Sequence, residues 1–352
     1  MRDHKHYLYC VTKANGKGSF GPIGIGEGRE EVLTVGYGGI AMVTSRAPQM
    51  SFGQMPPEET LRHLVTHQRV IEEVMKESAV VPMKFGTFAS SDAEITSILE
   101  VGLEDFQRAL ENFEGEMEID VVATWKSLES ILREISEEPA IKERKHEILR
   151  AAKEESLEEK VRLGQLVKEH LDLRRKGVGE EIVAALRGHC HDFSTNEFKD
   201  DSMVVNGAFL ISKSDEESFL GLISELDERY GGSLNFRCVY PLPPYSFATA
   251  EVRKLDSGAL DRARSVLGLP EMASLNDVKE GHRNLARKFH PDSNPGDDTC
   301  PERLKEATRA FKLLEEYCQN FKHSFAKESC REFPIVRIRK LRELRAEMST
   351  SH

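Results

Sequence analysis

Alternating apolar and polar positions open the chain. Tyr7 to Ala14 (YLYCVTKA) predicts a strand, and Val32 to Tyr37 and Gly39 to Thr44 predict two more around a Gly-Tyr-Gly-Gly turn. The period then lengthens. Pro56-Pro57 starts a predicted helix that runs to about Lys76, with Leu61, Leu64, Val65, Gln68 and Ile71 near one face. Val80 to Phe88 is a short apolar run containing Pro82, which restricts it to an edge strand at best. A second helix is predicted from Asp92 to Phe113. Residues 1–115 therefore form an α+β unit of three or four strands with helices on one face.

Met117 to Trp125 (MEIDVVATW) alternates again and starts a second unit, residues 116–250. Leu128 to Lys176 is charge-dense and helical, with sparse apolar positions at Ile148, Leu157, Val161, Leu163 and Leu166. It is predicted to break at Gly177 and Gly179. Met203 to Ile211 predicts a strand, Asp215 to Tyr230 a helix capped by Ser214, and Ser233 to Tyr240 a strand. That order fits a ferredoxin-like split β-α-β unit with a long helical insertion. Pro241 to Pro244 closes it, and from Leu255 onward the pattern is nearly all helical.

Residues 255–322 carry the sharpest local pattern. A short amphipathic helix from Gly258 ends at Gly268 and Pro270. Ser274-x-x-Asp277 is a capping-box pattern that opens a second helix. There Val278, Leu285 and Phe289 make an apolar seam, while Lys279, Arg283 and Arg287 recur every four residues with Lys288 beside them. His290-Pro291-Asp292 stops this helix, because Pro291 cannot continue it. After a polar loop, Leu304, Ala307, Phe311 and Leu314 mark the facing helix of an antiparallel pair. Residues 323–352 read as a basic tail. From Phe321 onward it holds eight Lys and Arg against four Asp and Glu.

The charge balance narrows the partners. Residues 1–250 carry 29 Lys and Arg against 43 Asp and Glu, a net of −14, which argues against nucleic acid as a partner of the main body. No apolar stretch reaches the eighteen or so residues a membrane span requires, so no membrane partner is expected. The charged start, Met1 to His6, leads directly into Tyr7 without an apolar signal core. Six scattered cysteines without a Cys-x-x-Cys pair fit a reducing, cytoplasmic setting.

Enzymatic chemistry finds no foothold. Gly24-x-Gly26-x-Gly28 is followed by a strand rather than a helix, so no helix N-terminus is present to hold a phosphate. His63 and His67 share a helix face but lack the Glu of a zincin motif, and His189-Cys190-His191 has no second cluster to complete a metal site. No nucleophile elbow, phosphate loop or carboxylate pair is present. The expectation is a non-enzyme with no catalytic residues, no cofactor and no metal.

The hairpin segments VLGLP, DVKEGHRNLARKFHPD and ERLKEATRAFKLLEEY resemble a J-domain of the DnaJ family. That resemblance implies a surface for a DnaK-type chaperone, formed by His290, Pro291, Asp292, Lys279, Arg283, Arg287 and Lys288. His282 stands where the family usually has Tyr, and Ser293 where Lys often follows the Asp. Residues 1–250 are similar to the GvpL/GvpF family of gas vesicle proteins. The matching stretches are YLYCVT, GGIAMVTSRAP, HQRVIEEVM, VVPMKFGTF, NGAFLIS and PLPPYSFA, in family order. This implies an accessory protein for gas vesicle formation whose partners are the shell protein GvpA, other accessory Gvp proteins and, through the hairpin, a DnaK-type chaperone. The alternative is a minor structural vesicle component whose hairpin only docks. The expected fold class is α+β: two small α+β units, the second ferredoxin-like, followed by an all-α J-domain-like hairpin.

Overall fold

The computed structural model describes residues 4–14, 17–26, 30–151, 157–290, 299–320 and 332–339. Two compact units divide the chain: residues up to 111 together with 249–339, and residues 112–248.

The first unit begins with β1 (His4–Lys13), β2 (Ser19–Gly21), β3 (Val32–Tyr37) and β4 (Ile40–Pro48). Next come α1 (Pro57–Met75), β5 (Val80–Pro82), β6 (Phe88–Ala89), α2 (Asp92–Val101) and α3 (Leu103–Asn112). The sheet order is β2-β3-β4-β1-β5, with β6 also on β1. It holds six strands where three or four were expected, because β2 and β6 are too short to show a period. β1 is interior, so Tyr7 to Val11 are all fully buried, as a strand covered on both faces requires. Tyr37 pairs with Ile40 across a two-residue turn at Gly38 and Gly39, whose φ angles are 58° and 85°. Both are left-handed, which glycine adopts without strain and a tight hairpin needs.

Two expectations for this unit are corrected. The buried face of α1 is His67, Val70, Ile71, Val74 and Met75, while Leu61, Leu64 and Val65 are exposed. Only the C-terminal half of α1 meets the core, so apolar residues in its first half do not mark the packed face. The predicted single helix from Asp92 is two helices parted at Gly102. There a Cβ would fall 2.5 Å from the Phe106 ring and 3.0 Å from Val336.

The second unit contains β7 (Glu116–Trp125), α4 (Leu128–Ser136), α5 (Pro139–Ala151) and α6 (Leu157–Arg187). β8 (Asp192–Thr195), β9 (Met203–Ser212), α7 (Glu216–Arg229) and β10 (Leu234–Leu242) follow. Its sheet order is β10-β7-β9-β8, every neighbour antiparallel. This is the ferredoxin-like arrangement, with α4 and α5 as the helical insertion ahead of α6. The strand missing from the sequence reading is β8, four residues at the sheet edge directly after the segment His189-Cys190-His191. Gly177 and Gly179 do not break α6, which runs to Arg187. A Cβ on Gly179 would sit 2.8 Å from the Val204 carbonyl oxygen, so this glycine lets α6 lie close on β9. Ser214 is not the cap of α7 either; a 3-10 turn over Lys213–Asp215 precedes the helix.

The chain then returns to the first unit as β11 (Thr249–Asp256), α8 (Ser257–Val266), α9 (Leu275–Lys288), α10 (Cys300–Asn320) and β12 (Glu332–Arg339). The last strand is therefore not the one ending near Tyr240. β11 and β12 pair antiparallel from Thr249↔Arg339 to Asp256↔Glu332, so a strand lies inside the segment read as a basic tail. The sequence reading found neither strand, because each finds its partner only beyond the whole hairpin.

Candidate functional site

α8, α9 and α10 enclose a small core of Leu260, Ala263, Leu267, Val278, Ala307, Ala310, Leu314 and Tyr317, with Leu255 and Ile335 from the two strands. α8 ends at Gly268, whose φ of 67° is left-handed. The Leu269 amide there donates back to the Arg264 carbonyl at 3.0 Å, and the Gly268 amide donates to Ser265. This is a Schellman closure, and it turns the chain toward α9.

α9 starts at a complete capping box. The Asp277 amide donates to Ser274 Oγ at 3.3 Å and the Ser274 amide donates to Asp277 Oδ2 at 2.7 Å. The Ser274 hydroxyl and amide, both donating to its carboxylate, hold the Asp277 carboxyl below its ordinary pKa. Val278 is fully buried, and a Cβ on Gly281 would lie 3.0 Å from the Leu267 carbonyl, so α9 passes close to the end of α8. His282 stacks on Phe311 of α10 at 4.5 Å and 23°. It fills the aromatic position that the family usually gives to Tyr.

The opposite face of α9 carries the predicted cations. Arg283, Arg287 and Lys288 are exposed and Lys279 is half-buried, and the four-residue spacing aligns Lys279, Arg283 and Arg287 along one side. The helix ends at Lys288, with the Phe289 amide donating to Leu285, and His290 follows in an exposed position. Pro291 and Asp292 lie outside the described residues. One basic neighbour of this face had no part in the sequence reading. The Arg303 guanidinium of α10 lies 5.4 Å from the Phe289 ring centre, and Lys288 Nζ lies 5.5 Å from the same ring. Both are within cation–π range. The position of Arg303, in the first turn after the loop, was the available signal.

The other candidates resolve into structure. His67 is buried, with Nδ1 3.0 Å from the Tyr7 hydroxyl and Tyr9 and Phe85 against its ring; burial pushes its pKa down to about 4. His63 instead meets Phe52 edge-on. His191 pairs with Glu116 at 2.7 Å, and Cys190 is half-buried at the end of α6. Among the described residues, no group of three or more His, Cys, Asp and Glu could hold a metal, and no helix is long and apolar enough to cross a membrane. The Gly24–Gly26 turn is pinned from below: the Ile25 amide donates to the Tyr9 hydroxyl at 2.6 Å.

One buried polar cluster had no sequence signal. Glu118 on β7 is 2% exposed and receives the Ser246 amide and hydroxyl, both at 2.8 Å, which ties the Pro-rich segment to the sheet. Burial, the charge of Asp120 and a hydrogen bond with Asp120 push its pKa up to about 8.

An α+β body with a ferredoxin-like second unit carries a helical hairpin with a basic face that ends at an exposed His, which is the arrangement of a J-domain. The hairpin matches the DnaJ domain family over residues 265–319. Residues 5–249 match the family described as gas vesicle synthesis protein GvpL/GvpF, and the chain belongs to that family. It is 26% identical to gas vesicle protein F of a Streptomyces species over 64% of this chain and 90% of that protein. To gas vesicle protein F of Dolichospermum flosaquae it is 23% identical, over 53% of this chain and 77% of that one. The hairpin is 49% identical to chaperone protein DnaJ of Treponema denticola, but over only 14% of this chain and 13% of that protein. The crystal structure of GvpF from an Anabaena species shares the fold with a TM-score of 0.60 at 20% identity, covering 69% of this chain and 97% of that one.

Proposed function

We propose that this protein is a non-enzymatic assembly factor for gas vesicles. In this reading its GvpL/GvpF portion holds the shell protein GvpA, and its hairpin recruits a DnaK-type chaperone. One observation carries the reading: the hairpin keeps Arg283, Arg287, Lys288 and His290 exposed while most of its apolar residues, Met272 apart, pack into its own core. A hairpin retained only for packing would have no need of an exposed cationic stripe beside that histidine. Apolar shell subunits are prone to aggregate before assembly, and a chaperone cycle next to a holding domain would keep them soluble. The open edges of the second sheet, β8 and β10, are suited to take up an extended partner by strand addition. A cleft of about 720 Å³ between α6 and β8, lined in part by Val183, Phe193 and Phe198, adjoins the first of these. The expected setting is the cytoplasm and the vesicle itself.

The test is ATP turnover by the host DnaK with this protein or its His290→Gln variant, alongside a pull-down scored for GvpA and DnaK. Stimulation by the wild type that His290→Gln abolishes supports recruitment. Equal turnover with both proteins and with neither leaves the hairpin as a docking element of a structural vesicle component.

A further inference from the structure

The first helix of the hairpin follows a strand with no residue between them. β11 passes from Asp256 directly into α8 at Ser257, and β12 returns to pair with β11 along its whole length. Successive residues of a strand point to opposite faces, so this ribbon has two sides. Leu255, Arg253, Ile335 and Arg337 share one side. Leu255 and Ile335 enter the hairpin core, and the two arginines converge on Glu316 of α10. Arg337 Nη2 lies 2.5 Å from Glu316 Oε1, and Arg253 Nη1 lies 3.3 Å from Oε2. The Glu316 side chain is only 8% exposed, while its partners reach it from the surface, Arg337 at 29% and Arg253 at 51% exposed. Lys254 and Val336 occupy the other side, and both meet the part of the first unit that runs up to residue 111, the first domain. Lys254 Nζ lies 2.5 Å from Glu94 of α2, and Val336 packs beside Gly102 between α2 and α3. At the ribbon's edge the Lys84 amide donates to the Ala250 carbonyl at 2.8 Å, and Lys84 Nζ pairs with Glu251 at 2.6 Å.

We infer that Glu316, gripped by Arg253 and Arg337 across this two-sided ribbon, is a positioning residue that fixes the hairpin at one orientation on the first domain. A chaperone engaged on α9 is then delivered to a set place beside the first domain rather than anywhere within reach of a linker. The ribbon contacts the hairpin through α8 and α10, and the cations of α9 stay outward. Rigid mounting of this kind raises the effective concentration at one location without adding any contact to the chaperone. The functional part of the inference rests on the proposed cochaperone role; the mounting itself does not.

The experiment places spin labels on genetically encoded unnatural residues at Glu58 of α1 and Glu280 of α9, both exposed, in the full chain. The wild type should give one narrow distance distribution. Glu316→Ala should broaden it, and the triple swap Glu316→Arg, Arg253→Glu, Arg337→Glu should narrow it again. Glu316→Gln, which keeps the side-chain shape, serves if the alanine variant does not fold. In DnaK assays the broadened variant should stimulate ATP turnover as the wild type does, because α9 is untouched. Its vesicle yield in cells should fall several-fold and return with the swap. A broad wild-type distribution overturns the mounting. Unchanged vesicle yield in a variant with a broadened distribution overturns its functional role. A wild type that leaves DnaK turnover unchanged instead sinks the cochaperone reading, with the distance result still standing.

Discussion

Glu118 makes the stability of the second unit depend on pH, in the direction opposite to most carboxylates. Its folded pKa of about 8 lies above the ordinary 4.5. A raised carboxyl pKa contributes its full stability below 4.5, where both states are protonated. That contribution is lost as pH rises from 4.5 to 8, because the unfolded chain ionises first. The slope is about 1.4 kcal/mol per pH unit, so the loss at pH 7 is on the order of 3 kcal/mol. Glu118→Gln removes the titration while its amide can still accept from the Ser246 amide and donate to the Ser246 hydroxyl. Trp125 is the single tryptophan of the chain and is buried in the same core, so its fluorescence reports on this unit alone. Urea midpoints for wild type and variant should converge near pH 4.5, and the variant should be the more stable by pH 8. Parallel midpoint curves across pH 5 to 8 would show that the buried carboxyl carries no such penalty.

Reversing Arg283 and Arg287 to Glu should weaken DnaK association more at low than at high salt, since exposed charges are screened over roughly 8 Å at physiological ionic strength; binding indifferent to both changes refutes a role for the stripe. Gly179→Val should destabilise the second unit by about 1–3 kcal/mol, because its Cβ starts 2.8 Å from the Val204 carbonyl. An unchanged Trp125 unfolding midpoint would contradict that packing. Truncation after Ala248 should still capture GvpA in pull-downs if the GvpL/GvpF portion holds the shell protein, whereas capture by the isolated hairpin alone would reverse that division. The cut belongs at Ala248, because a cut after Ala250 would leave two residues of a severed β11.

Short-range signals were legible without the fold. The capping box of α9, the glycine stop at Gly268, the Gly38-Gly39 turn and the four-residue cation spacing are each set by residues within a few positions of one another. For that reason the hairpin's helices lie where the sequence puts them, with Lys279, Arg283 and Arg287 aligned along α9. The strand-helix order of the second unit was likewise readable from its periods, apart from the four-residue β8. Tertiary structure decided the rest, wherever the deciding neighbour is distant in the chain. Which half of α1 is covered depends on Tyr7 and the strands beneath it, so Leu61, Leu64 and Val65 mislead. Gly179 reads as a helix breaker until Val204 is seen beside it. Glu118 is one acidic residue among many until Ser246, 128 positions away, closes over it. β11 and β12 stand on either side of the hairpin, and most of their backbone bonds are made to each other. Only their pairing turns residues 332–339 of an apparent basic tail into the mount that joins the J-type module to the first domain.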